Sequence, residues 1–153
     1  MTDQERMDAY LDKTMIENNV NQKDQICGMV QSIRGACSYD DKSLSLGFPV
    51  QPRMANRAGL MHGGIICTAI DMTAATLARF FAGENYCPTV SLDVKYIRPV
   101  EVGDTMMVTV RGIAIGKRIS QIQAEAVSEK TGKLVATGAS VFMNVDIVKE
   151  RQE

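Results

Sequence analysis

Several residue types that mark whole classes of protein are scarce in this chain. Its 153 residues contain one histidine, no tryptophan and four cysteines, at positions 27, 37, 67 and 87, with no Cys-x-x-Cys pair. These are too few ligands in the wrong pattern for a structural zinc site, so we expect no metal and no other cofactor. The four thiols are expected to stay reduced, as in an intracellular protein.

Strong charge and long apolar runs are missing as well. The formal net charge is −1, which gives no basic field for nucleic acid and no polybasic patch for a membrane surface. No run approaches the ~18 consecutive apolar residues that suggest a membrane span. The charged residues 1–19 lack the apolar stretch of a secretory signal. We therefore expect a cytoplasmic protein with neither nucleic acid nor membrane as a partner.

Hydrophobic periodicity predicts two helices and six strands. Residues 3–18 have apolar residues at helical spacing among charges, with Asn18 and Asn19 as stop signals. Residues 62–82 form a longer helix, in which the large apolar side chains fall within an arc of about 100°; they are Ile66, Ile70, Leu77, Phe80 and Phe81. Alternating patterns predict the strands, which are 30–38, 43–50, 89–97, 105–115, 119–128 and 134–145.

This order of elements indicates the α+β class. Sequential strands with tight turns, such as the loop at residues 129–133, form antiparallel sheets. One long apolar helix must bury its stripe against such a sheet. The length fits a single domain, divided here into an N-terminal helix at 1–22 and the main body at 23–153.

The most informative segment leads into the long helix. Gly63 and Gly64 stand at its start, where glycine costs stability and so needs a reason. One reason is close approach of the backbone to a ligand, because free N–H groups and the positive end of the helix dipole attract negative charge. Such a site is suited to act as an oxyanion hole. The alternative is that the two glycines only make a tight turn.

Three polar residues around these glycines each allow two interpretations. Asp71 lies two turns into the helix among small residues, which would let a ligand or a second subunit approach its carboxylate. A solvated surface aspartate is the alternative. His62 alone indicates a structural hydrogen-bonding residue, and Asn56 alone a turn residue.

Together these residues resemble a known family. The stretch N-R-A-G-L-M-H-G-G-I-I-C-T-A-I-D, residues 56–71, resembles the HGG segment of hot-dog fold acyl-CoA thioesterases, of the phenylacetyl-CoA and hydroxyphenylacetyl-CoA type with their mammalian relatives. In that family an asparagine precedes the histidine by six residues and a carboxylate follows it by nine. Asn56, His62 and Asp71 have that spacing.

The resemblance implies a fold and a role for each residue. The fold is an antiparallel sheet wrapped around one long helix. The backbone N–H of Gly63 would polarise the thioester carbonyl, with Gly64 beside the substrate. Asn56 would orient the carbonyl or water, and His62 would position its neighbours. Asp71 would activate water as a general base or attack directly.

Related enzymes place a hydroxyl residue 18 positions after the carboxylate to help hold the water. Thr89 occupies that position, although some relatives have serine there.

Coenzyme A and oligomerisation complete these expectations. Lys117 and Arg118 follow Gly116 in a turn that resembles the basic turns with which such enzymes bind CoA phosphates, and Arg57 and Arg98 are further candidates. A solvated charged turn is the alternative for each. The resemblance implies a dimer or tetramer with active sites between subunits, because an open sheet edge needs a partner.

Two other functions compete with hydrolysis of an acyl-CoA. A non-catalytic acyl-CoA-binding or sensing module has the same fold, and fold alone does not give function. A hot-dog dehydratase or hydratase would carry a histidine-led signature, which is absent here.

Overall fold

A computed structural model describes residues 1–146. These residues form three α-helices and six strands. They are α1 (Asp3–Ile16), α2 (Ile26–Val30), α3 (Gly63–Phe81), β1 (Ile33–Ser38), β2 (Ser43–Pro49), β3 (Thr89–Tyr96), β4 (Thr105–Ile115), β5 (Ile119–Ser128) and β6 (Leu134–Met143). The predicted strands and the long helix are confirmed, with bounds that differ by at most three residues.

The six strands form one antiparallel sheet in the order β1-β2-β4-β5-β6-β3. Alternate residues of β4 and β5 are buried and face α3, which packs across the sheet. The buried stripe of α3 contains Ile66, Ile70, Leu77 and Phe80 as predicted, while Phe81 is half-buried at the margin of the core. The α+β hot-dog architecture is therefore confirmed.

The N-terminal helix shares the core. A capping box between Thr2 and Glu5 starts α1, and Met7 and Leu11 are completely buried. The Tyr10 hydroxyl donates to the Thr76 carbonyl of α3 at 2.9 Å.

The predicted stop of this helix at Asn18 was wrong. The chain continues through a π-helical turn at Glu17–Asn21 and then forms α2, which was not predicted.

Length and composition alone would let α3 cross a membrane, although the sequence contains no uninterrupted apolar run of membrane-spanning length. Central helices of globular folds have the same properties, and half of this segment is buried inside the molecule. The packing of α3 across the sheet accounts for its apolar composition.

Strand β3 lies at an edge of the sheet. It pairs with β6 on one side, and within residues 1–146 no strand pairs with its other side. Two large side chains on this strand, Val90 and Tyr96, are each 55% exposed. An extended edge with exposed apolar side chains is a template for pairing with another chain.

Candidate active site

The site begins at the N-terminus of α3, where His62 is the N-cap residue. Its Nδ1 accepts a hydrogen bond from the Gly64 N–H at 2.9 Å, so Nδ1 is the unprotonated nitrogen in this arrangement. This hydrogen bond occupies the Gly64 N–H. Gly64 can therefore contribute to a binding site only by leaving free the space that a side chain would fill. The Gly63 N–H has no acceptor among the residues that the structure describes. One amide at the positive end of the helix is thus available to a ligand.

Backbone geometry decides between the two interpretations of the glycines. Neither Gly63 nor Gly64 has a positive φ, whereas Gly59 in the preceding loop does. A tight turn therefore does not require glycine at position 63. A Cβ there would lie 3.4 Å from the Tyr96 ring, an ordinary contact. Glycine at this position leaves the free amide uncovered by a side chain of its own.

Tyr96 is a residue of this site that sequence reasoning missed. Its hydroxyl donates to the Gly63 carbonyl at 2.8 Å, so the end of β3 is fastened to the first turn of α3. Partial burial raises the pKa of the phenol, and the nearby Cys67 adds a smaller contribution. The alternation of β3 places Tyr96 on the same face as Leu92 and Val94, but this pattern gives no sign of its hydrogen bond to Gly63.

Asp71 lies half-buried on α3 and is held by the start of β3. Its Oδ1 accepts a hydrogen bond from Thr89 Oγ1 at 2.7 Å. The hydroxyl expected beside the carboxylate is therefore in contact with it, with threonine in place of serine. Cys67, one turn earlier, has a thiol whose pKa is raised by burial and by the negative charge of Asp71. This thiol therefore stays protonated at neutral pH.

The carboxylate and the free amide are far apart within one chain. Gly63 and Asp71 are separated by eight residues on one helix, a rise of about 12 Å. Reacting atoms must come within about 3–3.5 Å of each other. Asp71 and the Gly63 N–H of one chain therefore cannot act on the same carbonyl group.

Asn56 organises the loop before α3. Its Oδ1 accepts hydrogen bonds from the N–H groups of Ala58 at 2.9 Å and Leu60 at 3.2 Å. Its Nδ2 has no acceptor within residues 1–146 and is available to donate. Asn56, Arg57 and His62 border one open depression. Asn56 is thus both the turn residue that its type indicates and a neighbour of the helix N-terminus.

The candidate CoA-binding cations fall at two ends of β3. Lys117 and Arg118 are exposed in the turn between β4 and β5, and their carbonyls accept from the side chain and backbone N–H of Asn144, which follows β6. This turn lies at the end of the sheet where β3 begins at Thr89.

The other two cations lie at the opposite end. Arg98 follows β3 and donates to the Leu134 carbonyl at 3.0 Å. Arg57 is exposed in the loop that precedes α3. One chain therefore places two cations near its carboxylate and two near its free amide.

Within the described chain, no group of three or more His, Cys, Asp or Glu side chains is placed to hold a metal ion. Asp71 instead lines a cavity of about 260 Å³ between α1 and α3. The chemistry that these residues offer is a hydrogen-bonded carboxylate, a free helix amide and a neighbouring cavity with mixed polar and apolar walls.

Known proteins resemble the chain in sequence and in fold. Acyl-coenzyme A thioesterase 13 of Mus musculus is 30% identical over 91 residues, which are 58% of this chain and 64% of that protein. The match therefore spans less than two thirds of this relative's length. A phenylacetic acid degradation-related protein of Ralstonia eutropha has a solved structure with a TM-score of 0.75 and 22% identity, covering 88% of this chain and 98% of that one.

A Streptococcus mutans structure with bound acetyl-CoA has a TM-score of 0.64 and 17% identity, covering 74% of this chain and 89% of that one. These two structural likenesses concern the fold. The family model of the thioesterase superfamily matches residues 58–135, about half of the chain and the part that holds His62, Gly63, Asp71 and Thr89. The chain therefore belongs to the thioesterase superfamily.

Proposed function

We propose that this protein hydrolyses acyl-CoA thioesters to a free carboxylic acid and CoA. The observation that carries the proposal is the hydrogen bond from Thr89 to Asp71, which holds a carboxylate beside the start of the edge strand β3. A second chain that paired with this edge would place its own free Gly63 amide near that carboxylate. The mouse relative is named an acyl-CoA thioesterase, and the Streptococcus mutans neighbour holds acetyl-CoA. Both support CoA thioesters as the substrate class.

A two-fold pairing of β3 strands would complete the site. Two copies of an edge strand that pair antiparallel place the start of one beside the end of the other. The Thr89 end of one chain, with Asp71, would then lie beside the Tyr96 end of its partner, with Gly63. This arrangement removes the separation of about 12 Å within one chain. We therefore propose a dimer, or a tetramer built from such dimers, with two composite sites per dimer.

Each residue has a role in the composite site. The Gly63 N–H would donate to the thioester oxygen as negative charge develops there. The Asn56 side-chain N–H would donate to the same oxygen or to the water. His62 would keep the first turn of α3 in place through its bond to Gly64. Tyr96 would hold the Gly63 peptide.

Asp71 supplies the chemical step from the other side. As a general base it would take a proton from water, whose oxygen attacks the carbonyl carbon while the thiolate of CoA leaves. As a nucleophile its Oδ would attack the carbonyl carbon and the C–S bond would break to release the thiolate of CoA, and water would then hydrolyse the resulting mixed anhydride to the free acid and the Asp71 carboxylate. Thr89 orients the carboxylate in both routes.

The same pairing would bring the four cations together. Lys117 and Arg118 of one chain would lie near Arg57 and Arg98 of the partner. Phosphates are favourable ligands for such a group of lysine and arginine side chains. We propose that this group binds the phosphates of CoA.

Asp71→Asn tests the function. The variant keeps the shape of the side chain but cannot accept the proton of water effectively, so kcat should fall by about 10²–10⁴-fold. Release of free thiol from a panel of acyl-CoAs measures kcat, and circular dichroism checks the fold. Asp24→Asn, at an exposed position away from β3, is the control and should keep full activity.

If a folded Asp71→Asn protein retains more than about a tenth of the wild-type kcat, Asp71 is not the catalytic group. A fall of less than about tenfold lies below the range for general-base catalysis. A wild-type protein that binds acyl-CoA tightly without turnover would instead support the sensing module.

A further inference from the structure

The cavity between α1 and α3 contains one cation that nothing in the described chain neutralises. The cavity runs along α3 from Asp71 past Met72 and Ala75 to Arg79. Arg79 is exposed at its far end and has no carboxylate within ion-pair distance among residues 1–146. Its position in the last turn of α3 suits the helix dipole but supplies no hydrogen-bond acceptor for the guanidinium.

The other charged groups that line this cavity have partners among the described residues. Lys13 pairs with Glu84 at 2.9 Å. Glu17 accepts from the side-chain amides of Asn21 and Gln22 at 2.6 and 3.1 Å. Because Lys13 and Glu84 neutralise each other and Glu17 is hydrogen-bonded, Arg79 is the remaining cation of the cavity wall that has no partner among the described residues.

The charge of Arg79 reaches the interior of the cavity. Burial raises the pKa of Tyr10 to about 12 and raises that of the Cys27 thiol, while the positive charge of Arg79 lowers each of them. Tyr10 belongs to α1 and Cys27 to α2, so the guanidinium field extends across the cavity to both covering helices. A ligand that extended from Asp71 past Met72 and Ala75 would therefore meet the Arg79 guanidinium at the far end, where Lys13 and Glu84 also line the cavity and neutralise each other.

We infer that Arg79 forms the distal end of the acyl site and selects acyl groups that end in a carboxylate. A terminal carboxylate would accept two parallel hydrogen bonds from the guanidinium, whereas a methyl end would cover this charge without a partner. The inference rests on the proposed thioesterase function.

The cavity volume guides the choice of acyl-chain length for the test. A volume of about 260 Å³ corresponds to roughly nine water-sized groups at ~30 Å³ each. The suberyl group, an eight-carbon dicarboxylic acyl group, has about that number of non-hydrogen atoms beyond its thioester carbonyl. Suberyl-CoA and octanoyl-CoA are thus matched probes that differ only at the distal end.

The test compares kcat/KM for these two thioesters in the wild type and in Arg79→Met. The wild type should prefer suberyl-CoA, and Arg79→Met should lower kcat/KM for suberyl-CoA by about 10- to 100-fold, the range for charge-assisted hydrogen bonds. Its kcat/KM for octanoyl-CoA should stay the same or rise. Arg111→Met, which removes an exposed arginine from the outer face of the sheet, is the control and should leave both values unchanged.

Each other outcome is decisive. A wild type that prefers octanoyl-CoA, with a ratio that Arg79→Met does not change, overturns the inference and leaves the proposed function intact. No turnover of either thioester by a wild type that hydrolyses other acyl-CoAs also overturns the inference and leaves the function intact, whereas no turnover of any acyl-CoA in the panel overturns both. If Arg79→Met loses its circular dichroism signal, Arg79→Gln gives the same comparison with a polar side chain.

Discussion

Mixing two inactive variants should restore activity if each site is built from two chains. Asp71→Asn removes the carboxylate from one half of the composite site, and Asn56→Ala removes a donor from the other half. Within one chain these groups belong to different sites, because the helix rise places Gly63 about 12 Å from Asp71. A mixed dimer therefore contains one site with both defects and one site with neither.

The size of the restoration follows from the two-fold symmetry. Random exchange of equal amounts yields mixed dimers as about half of the population, each with one intact site out of two. The mixture should therefore reach about a quarter of the wild-type kcat per chain. Each variant alone should have about 1% of the wild-type kcat or less, because it has lost either one oxyanion donor or the base.

The assay is thiol release after the two variants are unfolded together in denaturant and refolded, so that chains exchange. A mixture of each variant with itself, treated in the same way, is the control. Activity of the mixture that only equals the mean of the two variants would refute the composite site and place both groups within one chain. Light scattering that finds only monomers at micromolar concentration would refute it independently.

Two further substitutions test the CoA site and the fold. Lys117→Ala with Arg118→Ala should raise KM and leave kcat nearly unchanged, since phosphate contacts bind ground and transition states equally; KM should also rise with salt, and the double variant Lys23→Ala with Arg111→Ala should show normal kinetics. Asp104 is buried and accepts from Ser128 Oγ and two backbone N–H groups, so Asp104→Ala should lower the free energy of unfolding by about 2–4 kcal/mol in urea.

Acid should remove the difference between Asp104→Ala and the wild type. Burial alone raises the pKa of Asp104, but the hydrogen bonds from Ser128 and from the Lys130 and Thr105 N–H groups hold it below its usual range. Its contribution to stability is therefore complete above the ordinary aspartate pKa and is lost as pH falls through the lowered value, below about pH 4. A difference in unfolding free energy that stays constant from pH 7 to pH 3 would contradict this cause.

Most of the fold could be predicted because its elements have strong periodicity. The stripe of α3 and the alternation of β4 and β5 repeat over ten or more residues, and packing follows the same pattern. Residues 17–25 are mostly polar, and the apolar run at 26–30 is too short to show such a period. The π-helical turn and α2 in this segment depend on tertiary contacts, such as the bond from the Asn19 side chain to the Ser32 carbonyl, which no local pattern reveals.

The candidate site could be predicted only through the resemblance to the HGG segment of the thioesterases. Asn56, His62, Gly63 and Asp71 came from one short motif, and Thr89 came from its offset to the carboxylate. Tyr96 could be read from sequence only as a strand residue, because its hydrogen bond to Gly63 joins elements 33 residues apart. Arg79 was hidden for a similar reason, since the covering helix α1 lies far from it along the chain.

The open edge of β3 also affects how the protein should behave in dilute solution. For most proteins, aggregation accelerates as concentration increases. Here the open edge of β3, with Val90 and Tyr96 exposed on it, is the surface most prone to irregular strand pairing. Formation of the proposed dimer would cover this same surface. Dilution below the dissociation constant of the dimer would expose this edge. Slow precipitation should then begin in samples that are too dilute rather than too concentrated. Storage at high concentration would be the protective condition.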